Sequence, residues 1–326
     1  MNRRAFGGLF CAVAAATGIV LGMGVQPEPK APAKATKQLV VGFSQVGAES
    51  AWRTAETNSI KKEAEKRVVD LKFADAQQKQ ANQISALRSF VAQKVDAIIL
   101  APVVETGWEP VLREVKEAKI PVILVDRGIK VSDPSLYVTL IASDFVEEGK
   151  MAAEWLVSKT GGKANIVELQ GTTGAAPAVD RAKGFRDGIK PHPGMTIIKT
   201  QAADFERAKG KQVMQSFIKS EKGKFNVVYA HNDDMALGAI QALEEAGLKP
   251  GTEVIVVSVD AVKEAFEAMI AGKLNATVEC SPLLGPLAFD TIDKVRAGQS
   301  VPKFIKQNDA LFDQGNAAAA LKLRAY

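Results

Sequence analysis

The stretch Ile120-Pro121-Val122-Ile123-Leu124-Val125-Asp126-Arg127 decides the fold. Four aliphatic residues in a row after a proline read as a strand buried on both faces, the habit of parallel sheets held between helical layers. In open α/β sheets, ligands bind beyond the carboxyl ends of such strands. Asp126 and Arg127 stand at that end. They set an acceptor beside a planar fork of five N–H donors, which suits a polyhydroxyl ligand such as a sugar. A second pair, Asp180-Arg181, opens a helical pattern in the later half. A surface salt bridge would explain either pair alone. With their surroundings, the two together point to a two-lobed sugar binder.

Outward from this strand, apolar runs and helix-period segments alternate. Strands are expected at residues 39–43, 71–73, 97–100 and 122–125, with helices at 52–67, 80–93 and 109–118 between them. The pattern restarts with strands at 164–169, 196–200, 226–229 and 254–258, each followed by a helical segment. A late strand at 276–282 ends at Pro282, and an apolar helix and the run 302–306 follow. Strands alternating with helices mean βαβ units and parallel sheets. About ten strands exceed one comfortable sheet, so two Rossmann-like lobes are expected, with a chain that returns from the second to the first.

Composition narrows the function. The 326 residues can bury a large core in one or two domains. The formal net charge is +5, but Arg3, Arg4, Lys30 and Lys34 against Glu28 place most of it in the first 36 residues. No basic block with interleaved aromatics appears, so nucleic acid is not expected as a partner. Met1-Asn2-Arg3-Arg4, the apolar run 5–25 and the Pro/Ala/Lys-rich spacer 26–37 read as an export signal, with cleavage expected between residues 24 and 35. An uncleaved anchor is the alternative. Arg3-Arg4-Ala5-Phe6 matches a twin-arginine signal in part. Cys11 leaves with this segment, so Cys280 remains alone and no internal disulfide is expected. Only His192 and His231 exist, and no cluster has metal-ligand spacing. There is no nucleophile elbow, P-loop or dinucleotide fingerprint. Neither catalysis nor a cofactor is expected.

Several strand ends carry ligand-type side chains. After the first strand, Ser44, Glu49, Trp52 and Arg53 combine hydrogen-bonding groups with an aromatic face for the C–H surface of a sugar. A plain helix start, capped by Glu49 or Ser50 with Trp52 in the core, is the alternative. Trp108 is ambiguous in the same way. Asn232 follows the strand at 226–229, and Asp233 and Asp234 open the next helix as dipole-capping carboxylates. Asp260 repeats the strand-end placement, and Cys280 beside Glu279 reads as a packed or site-lining thiol.

Residues 41–47, Trp52-Arg53, residues 101–110, residues 167–171 and residues 229–235 together resemble the periplasmic sugar-binding proteins of ABC transporters, in the ribose/galactose-type branch. The resemblance covers nearly all of the chain from about residue 38. It implies an α/β fold of periplasmic binding protein type I, two Rossmann-like lobes with parallel sheets joined by a three-segment hinge. The lobes would comprise residues 37–141 with 280–302, and 142–279 with 303–326. It also implies a periplasmic location, an inner-membrane ABC permease as partner, and a monosaccharide in the cleft, galactofuranose or a similar aldose. Carried over by position, Glu49, Arg53, Asp126 and Arg127 would bind it from one lobe, and Arg181, Asn232 and Asp260 from the other. Ser44, Trp52, Trp108, Glu279 and Cys280 are further lining candidates. Ala48, Ala51, Gly128 and Cys280 depart from the pattern and leave the exact sugar open. A monomer is expected. The remaining alternatives are a sensor presenting its ligand to a chemoreceptor or kinase, a binder of another small polar ligand, an enzyme, or a repressor-class regulator. The last would carry an N-terminal helix-turn-helix where this chain has a signal.

Overall fold

Alternation within the aliphatic runs explains the layers. In the strand of residues 122–125, Ile123 and Val125 join one core cluster with Val41, Phe43 and Ile99, while Val122 and Leu124 join another with Ile98 and Leu100. A strand whose odd and even side chains are both buried must have a helical layer on each side. Ile60, Phe289 and Ile292 cover the first face, and Leu87, Phe90, Trp108 and Leu112 the second.

The computed structural model describes residues 11–15, 37–221 and 223–326. The export segment read at residues 1–37 therefore lies almost entirely outside the described residues. Among those described, no helix is long and apolar enough to cross a membrane. Residues 38–326 form one unit, to which all that follows refers.

The first half runs β1 (Val40–Gln45), α1 (Ala51–Lys66), β2 (Asp70–Asp75), α2 (Gln80–Ala92), β3 (Ala97–Leu100), α3 (Glu109–Glu117), β4 (Val122–Val125) and β5 (Thr139–Ala142). The second runs α4 (Phe145–Thr160), β6 (Lys163–Gln170), α5 (Ala176–Ile189), β7 (Gly194–Ala202), α6 (Arg207–Ser220), β8 (Val227–Ala230), α7 (Asp233–Glu245), β9 (Ile255–Asp260), α8 (Lys263–Ile270) and β10 (Ala276–Glu279). The chain closes with α9 (Gly285–Arg296), β11 (Phe304–Lys306), β12 (Leu311–Asp313) and α10 (Ala317–Leu321).

Two six-stranded sheets result, ordered β11-β5-β4-β3-β1-β2 and β12-β10-β9-β8-β6-β7. Every pairing is parallel except that of β12 with β10. The two orders are the same permutation, so β4 corresponds to β9 and β1 to β6. In each sheet the order reverses beside the first strand (β1 or β6), the switch point at which α/β sheets hold ligands.

The chain passes between the sheets three times, at residues 143–144, 280–284 and 307–310. Here the structure corrects the expected lobe limits. Residues 304–306, assigned from sequence to the second lobe, pair with Leu140, Ile141 and Ala142 in the first sheet. The last passage therefore lies beyond Lys306. β5 and β12 were not foreseen; β12 is a three-residue edge strand, too short to leave a periodic signal.

Candidate functional site

The carboxyl ends of both sheets face one cavity of about 280 Å³ of empty space, lined by Glu49, Ser50, Trp52, Arg53, Asp126, Arg127, Pro177, Arg181, Phe205, Asn232, Asp260 and Cys280.

In the first lobe, Ser50 caps α1 by accepting the N–H of Arg53 at 3.1 Å. The cap aims Arg53 at the cleft, where it serves three carboxylates. Its Nε donates to Glu49 at 3.1 Å, Nη2 to Asp126 at 2.7 Å, and Nη1 to Glu56. Gln45 backs the cluster, donating to Glu56 at 2.9 Å. Burial works to lower the pKa of Arg53, but Asp126, Glu56 and Glu49 outweigh it and hold it well above the ordinary value. Arg127 is less fully matched. Burial and the neighbouring Arg53 push it down to about 10, against Asp126, Glu49 and Glu56. Its Nη1 donates to the Val103 carbonyl at 3.1 Å, and its guanidinium stacks over Phe205 of the other lobe at 5.2 Å.

The second lobe repeats the device. Arg181 lies on α5, the counterpart of α1, and Asp260 ends β9, the counterpart of β4. Arg181 Nε donates to Glu148 at 2.7 Å, Nη1 to the His231 carbonyl at 2.6 Å, and Nη2 stands 3.6 Å from Asp260. Glu148 reaches it because α4 and α5 pack unusually close. A Cβ on Gly184 would meet the Val146 carbonyl at 1.9 Å, and one on Gly149 the Arg181 carbonyl at 2.3 Å. Burial raises Asp260 well above the ordinary carboxylate value, opposed by Arg181. Burial likewise raises Glu148.

Both strand-end acids have left-handed backbones, Asp126 at φ 61° and Asp260 at φ 123°. Around Asp126 the turn is closed by Arg127 N donating to Val125 O at 2.7 Å. Such backbones are uncommon outside glycine and concentrate at ligand sites. They turn each carboxylate off the end of its strand and into the cavity.

Hydrogen-bonding capacity is left over. Glu49 Oε2, Arg127 Nε and Glu148 Oε1 are buried without a hydrogen-bond partner among the described residues. Three lining carboxylates (Glu49, Asp126, Asp260) meet three lining guanidiniums (Arg53, Arg127, Arg181), so the walls present acceptors and donors side by side. A neutral ligand rich in hydroxyls satisfies both kinds of group.

The matches to known proteins agree with this geometry. Residues 41–300 match the model of the periplasmic binding protein domain. The chain belongs to the periplasmic binding protein family. It is 56% identical over 268 residues, 81% of its length and 84% of the relative's, to the galactofuranose-binding protein YtfQ of Escherichia coli (strain K12). The crystal structure of a galactofuranose binding protein superposes with a TM-score of 0.86 at 53% identity, covering 87% of this chain and 97% of that one. The binding-protein component of an arabinose ABC transporter from Shewanella sp. ANA-3, bound to α- and β-L-arabinofuranose, also gives 0.86, at 56% identity over 88% and 95% of the two chains. This periplasmic binding protein is thus a close homologue of sugar-binding proteins of ABC importers, and its relatives are binding proteins, not enzymes. Such proteins are exported to the periplasm, bind a monosaccharide and work with a permease.

Of the residues singled out from sequence, Glu49, Trp52, Arg53, Asp126, Arg127, Arg181, Asn232, Asp260 and Cys280 all line the cavity. Ser44, Trp108 and Glu279 do not. Ser44 is buried in β1. Trp108 is a fully buried core residue whose Nε1 donates to the Val104 carbonyl at 2.7 Å. Glu279 faces away and pairs with Arg324 at 2.5 Å. Asn232 is mostly engaged in structure, capping α7 through Met235 N and donating to the Phe205 carbonyl. Trp52 is also tied down, its Nε1 donating to the Cys280 carbonyl at 2.5 Å. Asp180 is not the partner of Arg181 in the site; it lines a separate crevice with Glu105 and Asp144. Sequence reasoning passed over Ser50 as a lining residue and missed Pro177 and Phe205. Phe205 could have been found by the strand-end rule, since it follows β7.

Proposed function

We propose that this protein captures a single monosaccharide in furanose form, galactofuranose or arabinofuranose, and hands it to an ABC permease. The observation that carries the reading is the pseudo-symmetric arrangement of Arg53 with Asp126 and Arg181 with Asp260, facing each other across the cavity with buried polar atoms left unpaired. Relatives described as galactofuranose- and arabinofuranose-binding support the choice of ring form. In this reading Glu49, Asp126 and Asp260 accept from sugar hydroxyls, Arg127 and Arg181 donate to sugar oxygens, and Trp52 and Phe205 lie against its carbon face. The lobes act as rigid bodies, closing about the passages at residues 143–144, 280–284 and 307–310 by a hinge motion. The protein works as a monomer.

The test is calorimetric titration of the mature protein, unfolded and refolded to strip carried-over ligand. The panel is galactofuranose, arabinose, ribose, galactose and fructose. One-to-one binding of galactose or arabinose as the furanose, tighter than ribose or fructose, is the expected result. No heat from any of the five would overturn the assignment of a sugar ligand.

A further inference from the structure

Asp234 does not line the cavity, yet its carboxylate spans the cleft while only 5% exposed. One oxygen accepts the backbone N–H of Ala51, the first residue of α1 in the opposite lobe, at 2.9 Å. The other accepts Arg207 Nε at 2.9 Å, and Arg207 is held in turn by Glu264 at 2.6 Å. Asp234 is also in the first turn of its own helix, α7. One carboxylate therefore serves the amino ends of two helices from opposing lobes. α1 has no acidic residue in its own first turn, so the negative charge its dipole favours comes from across the cleft. The other polar contacts at the rim, Gln78 Nε2 to Glu206 at 2.9 Å and Glu105 N to the Gly174 carbonyl at 3.0 Å, are less buried.

We infer that Asp234 is an interlobe latch, a positioning residue that strengthens sugar binding by stabilising the closed form without touching the sugar. The inference rests on the sugar-capture reading above. When the lobes part, Ala51 N–H returns to water and Asp234 keeps Arg207, so the contact contributes to the closed form alone. A group that acts only after closure slows dissociation and leaves association unchanged.

Two variants approach the contact from opposite lobes. Ala51→Pro deletes the N–H at the first helical position, where proline is favoured. Ser50 already has the extended backbone (φ −143°, ψ 163°) that a residue before proline adopts. Asp234→Ala deletes the acceptor. Stopped-flow tryptophan fluorescence with the best sugar of the panel should show dissociation faster by roughly 10- to 100-fold in each, the range of a hydrogen bond to a charged group. Association rate and the order of sugar preference should not change. The double variant should be no worse than the weaker single one, since both remove the same contact. Wild-type dissociation in Ala51→Pro, or independent losses that multiply in the double variant, would overturn the latch. If Asp234→Ala fails to fold, Ala51→Pro decides alone. If the wild type binds no sugar, the functional reading fails first, and the latch is judged by small-angle X-ray scattering of the ligand-free proteins. A larger radius of gyration for Ala51→Pro supports it, and an identical one refutes it.

Discussion

Replacing Arg53 with lysine should cost sugar affinity far more than it costs folding. In the closed form one guanidinium hydrogen-bonds three carboxylates, Glu49, Glu56 and Asp126, all within a site where Arg53 is 3% exposed. An ammonium is a single point charge and cannot span positions that the planar fork reaches from opposite edges. Asp126 would keep only Arg127, whose Nε stands 3.5 Å away. Stranding one member of a buried ion pair costs about 3–5 kcal/mol. At 1.4 kcal/mol per decade this is roughly a 100- to 4,000-fold rise in Kd. With the lobes apart, water reaches Asp126 and relieves most of that cost, so the ligand-free protein is destabilised by less. Calorimetric Kd and urea unfolding, each measured with and without sugar, separate the two. A Kd within threefold of wild type, together with a large fall in the ligand-free urea midpoint, would refute the reasoning and make Arg53 an internal strut of its lobe.

Arg127→Ala should abolish measurable binding while unfolding stays cooperative, because it removes the donor with an unpaired buried N–H; calorimetry beside a urea melt checks both halves. Trp108→Phe should leave Kd unchanged and lower stability by about 1–3 kcal/mol, for the lost hydrogen bond to Val104 and a partly filled core, read from urea unfolding. Burial lowers the His231 pKa below its ordinary value, against the opposing pull of Glu168, so the folded state resists protonation that the unfolded chain accepts near pH 6.5. Stability contributed by neutral His231 is therefore present above that pH and lost as pH falls below it. His231→Gln should flatten the pH dependence of the urea midpoint below about pH 6.5.

The sheets were legible because their cause is local. Val122-Ile123-Leu124-Val125 can hide both sets of side chains only between two helical layers, and the same kind of run recurs at β3, β8 and β9. The strand-end rule then placed Asp126, Arg127, Asn232 and Asp260 at the cavity, since the carboxyl end of a parallel strand is fixed once the strand is. Pairing was not local. Sequence offered Asp180 beside Arg181, but helix geometry sends adjacent side chains in different directions, and the tertiary fold gave Arg181 to Glu148 and Asp260 instead. Asp234 read as the cap of its own helix, and only the approach of the two lobes brought it to Ala51, 183 positions earlier. Trp52 and Trp108 look alike in sequence; the fold put one at the cavity wall and the other in the core. The chain alone thus determined the strands, their layering and which ends could hold a ligand. Which charges meet, and which of them bridge the cleft, was decided by packing between segments far apart in sequence, where no periodicity carries the information.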